Sequence, residues 1–232
     1  MNKIDGDMSA NFLHTSVSGA SSLGHIWGFE IGVVGGKTAS PHLNDVVHTE
    51  ADPNADAGTL YTGELLGVVS VPFGITGEIG LVPSVGSSDF KFNALDIGAK
   101  WTITELFLSD LPFSLAVKGT YSSYDLSFSG TQSGVNVDYK YKGTETALMG
   151  QISKNFAIIE PYVSVGVVNG KGNLTGNGSS GLFQAGVSGD ASRSSVMWNV
   201  GAELKLIVFK LGAEYTNLFN TNRVTGKLSF YF

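Results

Sequence analysis

Hydrophobic and polar residues alternate with a period of two over most of the chain. In the last segment Val224, Gly226, Leu228, Phe230 and Phe232 fall on one face, and Arg223, Thr225, Lys227, Ser229 and Tyr231 on the other. Successive side chains of a strand point to opposite sides, so each such run predicts a strand between one apolar and one polar environment. The same split runs through 27–33, 95–103, 113–117, 196–204 and 209–215. About ten strands are predicted, over 24–35, 59–71, 74–83, 89–104, 112–128, 134–152, 156–168, 193–206, 208–219 and 222–232. Within 112–128 the apolar face moves from odd positions (Phe113 to Tyr121) to even ones (Tyr124, Leu126, Phe128), which predicts a β-bulge.

The connections alternate in length. Those at 72–73, 105–111, 153–155 and near Ile207 are compact, whereas 36–58, 83–89, 130–134, 169–192 and 217–222 are longer or more polar. An even strand number with short turns on one side and longer loops on the other is the layout of an all-β fold, an antiparallel up-and-down transmembrane β-barrel. A soluble β-sandwich would alternate too, so aromatic position decides between them. If the first strand starts on the short-turn side, Trp27, Trp101, Phe113, Phe156, Phe209, Phe230 and Phe232 gather at that end. Tyr61, Tyr121, Tyr124, Tyr139, Tyr141, Trp198, Tyr215 and Phe219 gather at the other. Two aromatic belts at two bilayer interfaces explain that sorting, and a soluble core does not.

Composition agrees. Only 15% of the 232 residues are charged, against about 25% in an average soluble domain. The chain is too apolar and aromatic for disorder. It has no cysteine, which excludes disulfides and thiolate chemistry. A net charge of −6 argues against nucleic acid as a partner. The most apolar stretch, 65–88, holds Pro72, Pro83 and five glycines, so it is no membrane helix. Residues 1–22 are polar and lack a signal-peptide core, so an exported chain would already have lost its signal peptide. The expected organisation is an N-terminal segment, 1–22, followed by a barrel over 23–232 with surface loops at 36–58 and 169–192.

The terminal Leu228-Ser-Phe-Tyr-Phe232 resembles the C-terminal signature of Gram-negative outer-membrane β-barrel proteins, and Pro161-Tyr-Val-Ser-Val-Gly166 resembles a strand start common in small barrels. The resemblance implies residence in the bacterial outer membrane. It also implies an assembly signal at Leu228, Phe230 and Phe232, read by the barrel-assembly machinery. Chain size, the polar N-terminal stretch and the long first loop are similar to the PopA type of barrel. That similarity implies outer-membrane lipids and further copies of the chain as partners, in a homo-oligomeric ring that encloses lipid.

Candidate chemistry sits on the polar face and in the first loop. Lumen charges are expected at Glu30, Asp96, Lys100, Lys118, Glu203, Lys205, Lys210, Glu214, Arg223 and Lys227. The alternation sets Asp96 and Lys100 beside Lys118, and Glu214 beside Arg223 and Lys227. Such residues form either an ion-lined pore or a mutually satisfied network that fills a narrow interior. A short amphipathic helix is expected over 7–17, capped by Asp7 and stopped at Gly19. It would close the periplasmic mouth, lie at the membrane interface, contact a neighbouring subunit or fray. In the first loop Ser40-Pro41 marks a helix start. Asp52, Asn54 and Asp56 take the spacing of the first ligands of a calcium loop, although Ala57 replaces the glycine that motif wants; a solvated acidic loop is the alternative. No other cofactor is expected. The histidines, His14, His25, His42 and His48, accompany no G-x-S-x-G nucleophile, so no enzyme is expected. Small outward residues (Ala99, Gly119, Ala147, Ala202, Ala213, Gly226) suit either a barrel–barrel contact or ordinary use in a thin bilayer. The functional expectation is a structural or porin-like homo-oligomer that organises lipid or passes small solutes. A receptor- or adhesin-like surface is the alternative, and a barrel hydrolase a third reading.

Overall fold

The computed structural model describes residues 2–24, 27–46, 48–49, 57–87, 89–107, 110–132, 135–179 and 184–232. Ten antiparallel strands close into one barrel, each paired with its sequence neighbours and the first with the last. They are β1 (Gly28–Ala39), β2 (Thr59–Val71), β3 (Ile75–Gly86), β4 (Phe90–Thr102), β5 (Ser114–Gln132), β6 (Val135–Ser153), β7 (Ile159–Ser179), β8 (Gln184–Leu206), β9 (Phe209–Leu218) and β10 (Thr221–Tyr231). Three short helices join them: α1 (Asn2–Phe12), α2 (Pro41–Val46) after Ser40, and α3 (Thr104–Phe107). No described helix is long and apolar enough to cross a membrane.

The burial pattern is the reverse of a soluble domain's. Ile31, Leu65, Ile97, Val165, Val196 and Leu228 are exposed on the outside, while Glu30, Asp96, Lys100, Lys118, Lys210 and Lys227 are buried inside. An outward apolar face around a polar interior is what a barrel needs in hydrocarbon, because closure leaves no unpaired backbone at an edge. Leu228, Phe230 and Phe232 face outward, and Phe232 completes the seam through paired backbone hydrogen bonds with Phe29 (2.8 and 2.9 Å).

Three expectations are corrected. The residues of 169–192 that the structure describes are strand rather than loop: β7 and β8 stay paired from Ile159↔Leu204 to Ser179↔Gln184. Their upper halves are rich in Gly, Ser and Asn, and both faces there lack the apolar alternation that reveals a strand in lipid. β5 pairs with both neighbours without a bulge. Tyr124 and Leu126 point inward because Phe12, from α1, packs there against Phe92 and Tyr124. The irregular register lies on β3 instead, between Val82 and Val85. Ala147 also faces inward, packed with Ala10 and Leu13.

One close approach depends on glycine. Tyr162 lies inside the barrel across its paired residue Gly201, and its hydroxyl donates to Glu214 Oε2 (2.9 Å). A Cβ on Gly201 would stand 2.5 Å from the Tyr162 ring and 2.7 Å from the Ala213 carbonyl. Gly201→Val is therefore expected to destabilise the barrel by about 1–3 kcal/mol through overpacking. Chemical unfolding of the barrel in detergent measures this, and an unchanged midpoint would contradict it.

Candidate functional site

The site is the lumen, and the N-terminal segment occupies it from end to end. α1 lies at the loop end, where Asp5 accepts from Tyr141 and Asp7 from the backbone of His42 and Leu43 (2.9 and 3.0 Å) and from Thr221. Asp7 is thus inside α1 and caps α2, not its own helix as expected. From Leu13 the segment leaves helical geometry and descends to Leu23, whose N–H donates to Ser70 Oγ (3.1 Å). It closes the whole lumen rather than one mouth.

Irregular backbone in a dry interior must find partners among side chains. The wall supplies them. Arg223 donates to the carbonyls of Ala10 (3.1 Å) and Leu13 (2.6 Å), satisfying the helix end where a cation is favoured. Ser122 Oγ accepts from the His14 N–H (2.9 Å), and Ser153 Oγ from the Ala20 N–H (3.0 Å). Lys100 donates to the carbonyls of Gly19 (2.7 Å) and Ser21 (2.9 Å), Thr102 to that of Ala20 (2.6 Å). Glu160 accepts from Ser21 N–H and Oγ (3.1 and 2.6 Å). Apolar contacts fix the rest. Val17 takes a left-handed backbone (φ 46°), uncommon for a β-branched residue, which seats its side chain among Val34, Leu66 and Val68.

All ten charges expected on the polar face lie inside the barrel, but the partners differ from those expected. Lys118 pairs with Glu78 (2.7 Å), Lys205 with Glu160 (2.7 Å), and Glu214 accepts from Thr15 and Tyr162. Lys210 bridges Glu30 (3.0 Å) and Glu203 (3.1 Å), and Lys227 bridges the same two (2.8 and 2.6 Å), a square of alternating charge across β1, β8, β9 and β10. Asp96 faces the N-terminal segment. The partners are still on adjacent or next-but-one strands but not at the expected heights: directly across the register Lys100 meets Lys118 and Glu214 meets Thr225. Sequence reasoning missed Glu64, Glu78, Glu145 and Glu160: Glu78 and Glu160 occupy the polar side of their strands' alternation, but Leu66, Val68, Ala147 and Met149 share the inner faces of Glu64 and Glu145 and blur it.

His14 is the centre of a further cluster. Its Nδ1 lies 3.3 Å from Glu64 and its Nε2 3.1 Å from Glu78. His42 is held to Asp7 (3.0 Å), and His25 lies outside the described residues.

Of the aromatic belt residues, Trp27 and Trp101 are exposed at the turn end, with Phe113 partly so. Tyr121 and Trp198 are exposed higher up, Trp198 against Tyr215. Tyr141 departs from the belt: it points inward to Asp5, and Tyr139 shares its side of β6, its ring over Gly176. Tyr141 sits where the N-terminal helix gives the interior something to bind, whereas Tyr139 remains exposed. Asp52, Asn54 and Asp56, the calcium-loop candidates, lie outside the described residues.

The barrel is similar to the translocator domain of the autotransporter NalP from Neisseria meningitidis (TM-score 0.49, 10% identity, covering 89% of this chain and 87% of that one). It is similar to the outer membrane protease OmpT from Escherichia coli (TM-score 0.47, 11% identity, 89% and 96%). It is also similar to Ail, the attachment invasion locus protein of Yersinia pestis (TM-score 0.36, 12% identity, 89% and 97%). No curated protein matches the chain. The shared feature is the closed antiparallel β-barrel itself. The family of unknown function DUF6588 matches residues 26–232, the barrel wall to its last residue, and the chain belongs to that family.

Proposed function

We propose that this protein is a non-enzymatic structural barrel of the bacterial outer membrane, kept closed by its N-terminal segment. It acts through its outer surface, on lipid and on copies of itself. The observation that carries this reading is the filled lumen: residues 5–20 are buried almost throughout, and they hydrogen-bond to wall side chains along the whole bore. A solute has no comparable path. The confinement of His14 within that segment and of His42 against Asp7 supports a non-enzymatic role.

The outer surface supports self-association. Ala202, Ala213, Gly226, Gly35 and Gly63 pair one to the next across β8, β9, β10, β1 and β2, all on the outward face. A Cβ on Gly35, Gly63 or Gly226 would meet its nearest atom only at 3.7–3.8 Å, so the barrel's own packing does not require glycine there. In lipid such a bare row lets a second barrel come close.

Planar-bilayer recording and native mass spectrometry in mild detergent test the two halves of the reading. Intact protein is expected to give no conductance steps and to retain oligomers. Steady channels would sink the closed-barrel half, and a fully separated monomer the other.

A surface-binding role is the second reading. β7 and β8 run for 21 and 23 residues, about twice the 9–11 that span a bilayer. Their excess projects a polar sheet beyond the membrane, with a groove of about 590 Å³ lined by Lys142, Lys171, Asn173, Asp190 and Ser192.

A further inference from the structure

Inside the closed lumen, three elements converge on one point. His14 comes from the threaded segment, Glu64 from β2 and Asp96 from β4, and one ligand-capable atom of each lies within 4.8 Å of the other two. Donors around a tetrahedral ion with bonds of about 2.1 Å stand roughly 3.4 Å apart, so modest carboxylate rotations bring the set to ligating distance. One imidazole with two carboxylates, in a chain without cysteine, is a nitrogen–oxygen donor set of the kind zinc accepts.

Two independent observations point to a ligand. A cavity of about 20 Å³, room for one small ion or water, adjoins the cluster: Glu64 and Asp96 line it with Asn11, Thr225, Arg223 and several apolar side chains, whereas His14 does not. Asp96 Oδ1, Asn11 Oδ1 and Thr225 Oγ1 are buried there without a hydrogen-bond partner. Asp96 is only 3% exposed, and an orphaned acceptor in such surroundings is unfavourable. One cation offsets several such acceptors at once.

The far side of the imidazole is the second observation. Nε2 lies 3.1 Å from Glu78 Oε2, and Glu78 is itself held by Lys118 at 2.7 Å. A metal-bound histidine characteristically gives its other N–H to a carboxylate, which fixes its tautomer. With Nε2–H donated to Glu78, a bound ion takes the place of the proton between Nδ1 and Glu64. Arg223 lines the same cavity. Its Nη1 is engaged by the carbonyls of Ala10 and Leu13, and its Nε is buried without a partner.

We propose that His14 Nδ1, Glu64 and Asp96 bind one zinc ion, which fastens the N-terminal segment to β2 and β4. The test uses the full chain in detergent, stripped by a chelator and titrated with Zn²⁺ by calorimetry. One equivalent is expected to bind and to raise the thermal midpoint. His14→Gln and Asp96→Asn are expected to abolish that binding. Glu78→Gln, which removes only the orienting carboxylate, is expected to weaken it about 10–100-fold. His48→Ala, at an exposed residue of the first loop, is expected to change nothing. The proposal is overturned if the stripped protein takes up no zinc, leaving the cavity to a water. It is equally overturned if His14→Gln and Asp96→Asn bind as well as wild type, or if His48→Ala removes the binding. Should the lumen variants fail to refold, the zinc-edge absorption spectrum of wild type decides. One imidazole with carboxylate oxygens upholds the site, and two or more imidazoles overturn it.

Discussion

Deleting residues 2–22 is expected to turn a silent barrel into a cation-preferring channel. The deletion leaves all ten strands and the β1–β10 seam in place, because the segment pairs with none of them. It removes the chain that fills the bore, together with the apolar side chains of Leu13 and Val17 that anchor two of the interior clusters. Lys100, Thr102, Ser122 and Ser153 then lose their backbone partners and hydrogen-bond water instead. Among the described residues the wall holds eight acidic groups inside (Glu30, Glu64, Glu78, Asp96, Glu145, Glu160, Glu203 and Glu214). Against them stand seven basic ones: Lys100, Lys118, Arg193, Lys205, Lys210, Arg223 and Lys227. A water-filled bore with that excess admits cations preferentially. Planar-bilayer recording with a salt gradient reads both the opening and the sign of the reversal potential. A deletion protein that folds, as judged by heat-modifiable migration, and stays silent would show that the wall alone closes the lumen.

Lys227→Met is expected to cost about 3–5 kcal/mol, because it removes one corner of the buried charge square. Glu30 and Glu203 each touch both Lys210 and Lys227. With Lys227 gone, one ammonium faces two carboxylates in a site sealed from water, and the uncompensated negative charge carries the penalty. Met keeps the length and the apolar stem, so little of the loss comes from packing. Replacing all four corners by apolar residues of similar volume is expected to restore much of it, since a buried ion pair seldom outperforms well-packed hydrocarbon. Denaturant unfolding of the single and quadruple variants measures both. A single variant within 1 kcal/mol of wild type would mean that water reaches the square.

The membrane-spanning wall was legible because each strand separates two solvents, and period-two alternation records that separation residue by residue. The polar faces of β1, β4, β8, β9 and β10 could be read directly, charges included. The upper halves of β7 and β8 could not, since alternation fades once both faces of a sheet are polar. Tyr124, Leu126 and Tyr141 misled for a different reason. Aromatic residues on an otherwise polar inner face look like a change of register, but they answer to Phe12 and Asp5 of a segment more than 100 residues away in sequence. The path of residues 13–24 carried no local signal at all. It has little periodicity, and its conformation is written in the side chains of the wall.

The last strand to be made is also the one that grips the first segment. Thr221 and Arg223, both on β10, hold Asp7, Ala10 and Leu13. Meanwhile β10 pairs with β1 from Glu30↔Tyr231 to Thr38↔Arg223 to complete the sheet. The strand that closes the cylinder therefore also holds its contents. The same coupling runs backwards: parting β1 from β10 would take Arg223 off the end of α1 and let the segment go sideways, through the wall.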